Sequence, residues 1–144
     1  MIAFRMRLEV FLLLTSSAAS SAACDDTEPG VVEVGAIEYA GSPALIEVPT
    51  SVKLGESALV RVRTSGNGCV SLEDTEVSMF DGGVEITPYD RRKPPPCTLI
   101  QNFFMHEASV NFETLGAKTV LVNGRIVGST SQLVQKTFTM TVVE

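Results

Sequence analysis

Apolar and polar residues alternate along most of this chain, and turn-forming residues interrupt the alternation at intervals of about ten positions. The clearest segment is 133–143, in which Phe138, Met140 and Val142 alternate with threonines. A period of two places successive side chains on opposite faces of a strand. After the leader, no stretch has the 3.6-residue period of an amphipathic helix. The pattern predicts an all-β domain in which each strand has one buried face.

Turn residues divide residues 31–144 into seven or eight predicted strands. The predicted strands cover 31–39, 44–52, 58–64, both arms of a hairpin around 82–83, 104–112, 117–123 and 133–143. Within them Ala58, Val60 and Val62 share one face. Strands of this number and spacing are typical of an immunoglobulin-like sandwich, in which two antiparallel sheets face each other. A closed barrel is the alternative.

The sequence Asp81-Gly82-Gly83 predicts the turn of a β-hairpin. Two glycines suit a two-residue type I′ turn, because both central residues need a positive φ. With Gly82 and Gly83 as the loop, apolar residues face each other near the turn and opposite charges face each other further out. The expected pairs are Met79–Ile86, Val77–Pro88, Ser78–Thr87, Asp74–Arg91 and Glu73–Arg92.

Cys69 and Cys97 are expected to form a disulfide across the open end of this hairpin. The predicted register places Cys69 opposite Pro96, one position short of Cys97, and the prolines there allow a small shift. Closing a loop of about thirty residues stabilises a fold by about 3.6 kcal/mol in the chain-entropy model. Such a bond requires an oxidising compartment.

The first 23 residues have the features of a signal peptide. Arg5 and Arg7 supply positive charge, a short apolar segment follows at 10–14, and small side chains precede Cys24. The apolar segment is shorter than the about 20 residues that span a bilayer. We therefore expect export, with residues 1–23 as the signal peptide, 24–30 as a polar tether and 31–144 as the domain.

The sequence Ser21-Ala22-Ala23-Cys24 resembles the cleavage site of bacterial lipoproteins, although Ser21 stands where the family usually has an aliphatic residue. The chain as a whole resembles envelope lipoproteins with a single immunoglobulin-like domain. This resemblance implies that Cys24 is lipidated and that a lipid bilayer, on the periplasmic side or at the outer surface, is a partner. One anchor and one disulfide would use all three cysteines. A soluble secreted protein is the alternative.

The residue inventory indicates no catalytic or metal site. His106 is the only histidine, and its sequence spacing to serine and aspartate residues matches no recognisable catalytic pattern. The acidic residues do not follow the spacing of a calcium loop. We expect no enzyme activity, no cofactor, no metal and no small-molecule substrate. Without the leader, Arg5, Arg7 and Glu9 are lost, so 9 basic and 16 acidic residues remain and the net charge is −7. Such a charge disfavours nucleic acid as a partner.

The segment Arg91-Arg92-Lys93-Pro94-Pro95-Pro96 is the candidate for contact with a protein partner. Prolines favour an extended, stiff backbone, and a disulfide at Cys97 would hold one end. A loop ordered in advance loses less entropy when it binds. We expect a non-catalytic binding or structural module of the cell envelope, with an unidentified protein partner. A secreted inhibitor that uses the rigid loop at 91–97 is the alternative.

Lipidation at Cys24 is tested by metabolic labelling with a palmitate analogue in the native host. The wild-type protein should incorporate the label, and Cys24→Ala should not, because the thiol carries the lipid. Unlabelled wild-type protein that is soluble and fully processed would contradict the anchor and leave export intact.

Overall fold

The computed structural model describes residues 29–39, 43–129 and 131–144, which form ten β-strands in two sheets. The strands are β1 (Val31–Val34), β2 (Ala36–Glu38), β3 (Ile46–Glu47), β4 (Ser51–Lys53), β5 (Ser57–Gly66), β6 (Val70–Phe80), β7 (Gly83–Arg92), β8 (Asn102–Asn111), β9 (Gly116–Ile126) and β10 (Leu133–Val143). The predicted all-β sandwich is confirmed. The leader and Cys24 lie outside the described residues.

A seven-stranded sheet faces a three-stranded sheet. The larger sheet has the order β1-β7-β9-β10-β4, with β6 paired to β7 and β2 paired to β9. The smaller sheet has the order β3-β5-β8. Within the described ranges no helix is long and apolar enough to cross a membrane.

The core lies between the sheets and is formed mainly by one apolar face of each of β5, β7, β8, β9 and β10. The predicted inward faces of β5 and β10 are confirmed, since Val60, Val62 and Met140 are fully buried. Within the apolar core, the other side chains exposed by no more than 1% are Val84, Ile86, Val110, Val120 and Val122. Alternation along each strand therefore decides which residues stabilise the sandwich.

Two segments predicted as single strands are each divided. Residues 31–39 form β1 on β7 and β2 on β9, and residues 44–52 contribute β3 to the smaller sheet and β4 to the larger. Pro49 lies between β3 and β4, where the chain crosses from one sheet to the other, and a proline cannot donate to a ladder. This division explains why the strand count is ten rather than seven or eight.

The sequence predicted only antiparallel strand pairings, but three of the observed pairings are parallel. Strands β2 and β7 run parallel to β9, and β4 runs parallel to β10. Strand β7 lies next to β9 in the larger sheet. The short strands β2 and β4, from the first part of the chain, pair with β9 and β10. Sequence periodicity carries no information on such pairings, because both directions have the same period.

The β6–β7 hairpin forms, but its predicted register is wrong by two residues. Phe80 pairs with Gly83 and Val77 pairs with Ile86, so Asp81 and Gly82 form the loop. Only Gly82 has a positive φ there. A Cβ atom at Gly83 would lie 2.2 Å from the backbone oxygen of Thr119, so Gly83 permits close approach of β9. The second glycine serves sheet packing rather than the turn.

This division of roles predicts unequal effects of two neighbouring substitutions. Gly83→Ala should lower the free energy of unfolding by about 2 to 3 kcal/mol, because a backbone oxygen blocks the new methyl group. Gly82→Ala, whose methyl group would enter open space, should lower it by about 1 to 2 kcal/mol through its positive φ. Urea unfolding of both variants measures the difference. A larger loss for Gly82→Ala would support the predicted type I′ turn instead.

Candidate functional site

One end of the sandwich, called the disulfide end below, combines a cross-linked loop, a cavity and exposed apolar side chains. Strands β1, β6 and β10 begin at this end, and β7 and β9 end there. The far end carries the loops at 54–56, 81–82 and 112–115 and the last residue of the chain. The described start of the domain and its last residue therefore lie at opposite ends.

The predicted disulfide between Cys69 and Cys97 is confirmed, with a Cα–Cα distance of 5.1 Å. Two backbone hydrogen bonds hold the same loop: Lys93 N donates to Cys69 O at 2.9 Å, and Gly68 N donates to Thr98 O at 3.1 Å. The loop at 93–101 therefore returns across the start of β6 and is attached to it at three points.

The predicted partner segment is divided between a strand and this loop. Arg91 and Arg92 belong to β7, where Arg91 donates two hydrogen bonds to Glu73, at 2.7 and 2.8 Å, and Arg92 pairs with Glu33. The expected Asp74–Arg91 and Glu73–Arg92 pairs are replaced, because a bulge in β6 between Leu72 and Thr75 shifts the register again. The hydrogen bonds from Arg91 hold the pKa of Glu73 below its ordinary value.

The remaining residues of that segment, Lys93, Pro94, Pro95 and Pro96, are exposed on the loop. Beyond the disulfide the loop displays two large apolar side chains that the sequence analysis passed over. Leu99 is 95% exposed and Ile100 is 67% exposed. The sequence signal for this display was an apolar pair that follows a disulfide cysteine and lies outside any alternating strand.

A cavity of about 320 Å³ opens beside this loop. Its lining residues are Ala36, Tyr39, Ser65, Gly66, Asn67, Arg92, Leu99, Gln101, Arg125, Val127 and Gly128. Ligand sites of proteins have volumes of about 300 to 1,000 Å³ and combine apolar walls with a few convergent polar groups. The cavity meets this description at the lower limit of size.

Two guanidinium groups of the cavity share a single carboxylate. Glu33 Oε1 accepts hydrogen bonds from Arg125 at 2.6 Å and from Arg92 at 2.9 Å. Arg125, only 3% exposed, also donates to Val34 O at 2.7 Å and to Ser129 O at 3.1 Å. Among the described residues the two guanidinium groups share this one carboxylate, so the cavity favours an anionic or hydrogen-bond-accepting group.

A larger depression, of about 460 Å³, lies on the outer face of the larger sheet. Its polar side chains bond to one another or to neighbours in the sheet: Gln135 donates to Asn123, and Asn123 donates to Glu85. A ligand there would have to replace these bonds. The disulfide end is therefore the better candidate, although its cavity is smaller.

His106 belongs to a buried polar cluster between the sheets. Its Nε2 lies 3.0 Å from Asp90 Oδ1, its Nδ1 lies 3.0 Å from Thr75 Oγ1, and Thr64 Oγ1 lies 3.2 Å from the same Asp90 oxygen. The side chains of Asp90 and His106 are fully buried. Neither residue lines the disulfide-end cavity or the depression on the outer face of the larger sheet. The cluster joins strands β5, β6, β7 and β8 through side-chain hydrogen bonds, and its residues are far apart in sequence.

The far end has its own cavity, lined by Met79, Phe112 and Lys118 among others. A small one, of about 50 Å³, adjoins the disulfide-end cavity at Tyr39 and Gln101. Within 29–39, 43–129 and 131–144, no group of three or more His, Cys, Asp or Glu residues is arranged to hold a metal ion.

Comparisons of the chain with protein-family models, with curated proteins and with solved structures find no match.

Loss of the cross-link is expected to destabilise the domain strongly. Cys69→Ser or Cys97→Ser should lower the free energy of unfolding by up to about 3.6 kcal/mol and the melting temperature by roughly 10 °C or more. Cys24→Ser, outside the domain, should leave the melting temperature unchanged. Non-reducing peptide mapping should join Cys69 to Cys97. Cys24 joined to either of them would contradict the assignment.

Proposed function

We propose that this chain is an exported, lipid-anchored protein of the cell envelope that acts as a non-catalytic binding module. Its binding surface is the disulfide end. The observation that carries the proposal is the combination, at one place, of a cavity with two guanidinium groups that share one carboxylate and a loop fixed at three points.

Fixing the loop supports a binding role because it lowers the entropic cost of association. The loop at 93–101 displays Leu99 and Ile100 immediately after Thr98, whose carbonyl oxygen is bonded to Gly68. A Cβ atom at Gly68 would clash with the side-chain oxygen of Thr98, so glycine allows this close approach without moving that side chain. The local sequence thus favours a fixed display of apolar side chains.

A non-catalytic role is supported by the chemistry of the cavity. Its titratable side chains are Tyr39, Arg92 and Arg125, and both arginines are held by Glu33. Arginine is permanently protonated and cannot act as a general base. The surface is suited to recognition of a charged or polar group rather than to proton transfer.

The anchor at Cys24 is compatible with the position of the disulfide end. Seven residues span at most about 25 Å when fully extended, so a lipidated Cys24 would keep β1 within that distance of the bilayer. Strand β1 begins at Val31, which pairs with Arg92 next to the loop. The proposed anchor and the proposed binding surface therefore lie at the same end.

A secreted inhibitor is the second candidate, and one observation favours it. Leu99, at 95% exposure on a cross-linked loop, is presented as the recognised side chain of an inhibitor would be. The exposed apolar residues follow Cys97 instead of lying within 91–97. Inhibition of a protease by the purified protein, abolished by Leu99→Asp, would support this alternative over the envelope module.

Hydroxyl-radical footprinting in isolated cell envelopes tests which end is occupied. Tyr39, Leu99 and Ile100 should lose most of their reactivity relative to the purified protein, because a bound surface excludes water. Leu54 and Leu115 at the far end serve as matched apolar controls and should remain reactive. Equal reactivity of both ends in envelopes would contradict the proposed binding surface.

A further inference from the structure

We propose that the disulfide end is a bilayer-contact surface, in which Leu99 and Ile100 insert among phospholipid headgroups and orient the anchored domain. This proposal rests on the proposed function, since it names the partner of the same surface. The contact is non-covalent and separate from lipidation of Cys24.

The most exposed apolar side chains of the described residues gather at this end. Leu99 is 95% exposed, Val31 68%, Ile100 67% and Leu133 67%. Val31 pairs with Arg92 beside the loop, and Leu133 begins β10 at the same end, where it lines the depression on the outer face of the larger sheet. Single exposed apolar residues are ordinary on protein surfaces, but several at one end indicate an interaction site.

Four basic side chains lie at the disulfide end, and three of them are paired with carboxylates. Arg91 pairs with Glu73, and Arg92 and Arg125 share Glu33. Lys93 is exposed beside the prolines, where its ammonium group could reach a lipid phosphate.

Insertion rather than charge must supply most of the affinity. The tether carries Asp25, Asp26 and Glu28, which offset the local positive charge. Surface charges are also screened over about 8 to 10 Å at physiological ionic strength. Burial of Leu99 and Ile100 in the interface is not screened, so salt should weaken the contact only modestly.

The length of the tether favours a bilayer over the other occupants. A lipidated Cys24 would lie within about 25 Å of Val31, so the exposed apolar end would remain next to the membrane surface. Tethering at this distance raises the effective concentration of the surface at the bilayer. A soluble protein gains no such advantage.

Vesicle flotation of the oxidised protein carrying Cys24→Ala tests the contact without the covalent anchor. Vesicles of phosphatidylethanolamine and phosphatidylglycerol in equal parts should carry the protein upward. The Leu99→Asp, Ile100→Asp double variant should bind at least about tenfold more weakly, because two inserted side chains are lost. Lys93→Gln should weaken binding by no more than about fivefold.

The matched control is the Leu54→Asp, Leu115→Asp double variant, which places two carboxylates at the far end. It should float like the parent protein. Unchanged melting temperatures establish that each variant is folded. Equal flotation of the two double variants, or no flotation of the parent protein, would overturn the proposal.

Two further outcomes separate this proposal from the proposed function. In one outcome, envelopes protect the disulfide end from hydroxyl radicals but vesicles do not bind the purified domain. The surface is then occupied by a partner protein, so the binding module stands and the bilayer contact is overturned. If sedimentation shows that Leu99→Asp dissociates a dimer, a second copy covers the surface and the bilayer contact is likewise overturned.

Discussion

The bond between Cys69 and Cys97 is the contact on which the disulfide end depends. Strand β7 ends at Arg92, and the chain must then travel to the start of β8 at Asn102 without regular structure. A segment of this length would sample many conformations if it were held only at its ends. The cross-link divides it, and the Gly68–Thr98 hydrogen bond fixes the part that follows Cys97. Leu99 and Ile100 are therefore presented from a fixed base.

Two polar clusters, one partly buried and one fully buried, join the strands around this end. Glu33 joins β1 to β7 and β9 through Arg92 and Arg125. Asp90 and His106 join β7 to β8 across the core. Buried polar groups cost free energy when they lack hydrogen-bond partners. A displaced strand would separate the hydrogen-bonded groups, so both clusters favour one arrangement of the chain.

Sequence patterns predicted what local periodicity and covalent chemistry determine. The bounds of β10, the inward faces of β5 and β10, and the disulfide follow from alternation and from the positions of the cysteines. The hairpin register did not follow, because Gly83 is required by contact with Thr119, which is remote in sequence. The Glu33–Arg125 contact joins residues 92 positions apart, and alternation carries no signal for it. Apolar residues such as Leu99 are read as core residues unless the loop that exposes them is known.

Backbone dynamics of the loop test the central claim, that the cross-link and its hydrogen bonds fix the display of Leu99 and Ile100. Nuclear spin relaxation of the oxidised protein measures the order parameter of each amide. The account predicts values for Leu99 and Ile100 near 0.85, as in rigid backbone, and a fall below about 0.6 after reduction, while Val120 in the core changes little. Order parameters below about 0.6 in the oxidised protein would contradict it, because the apolar pair would then be displayed by a mobile loop.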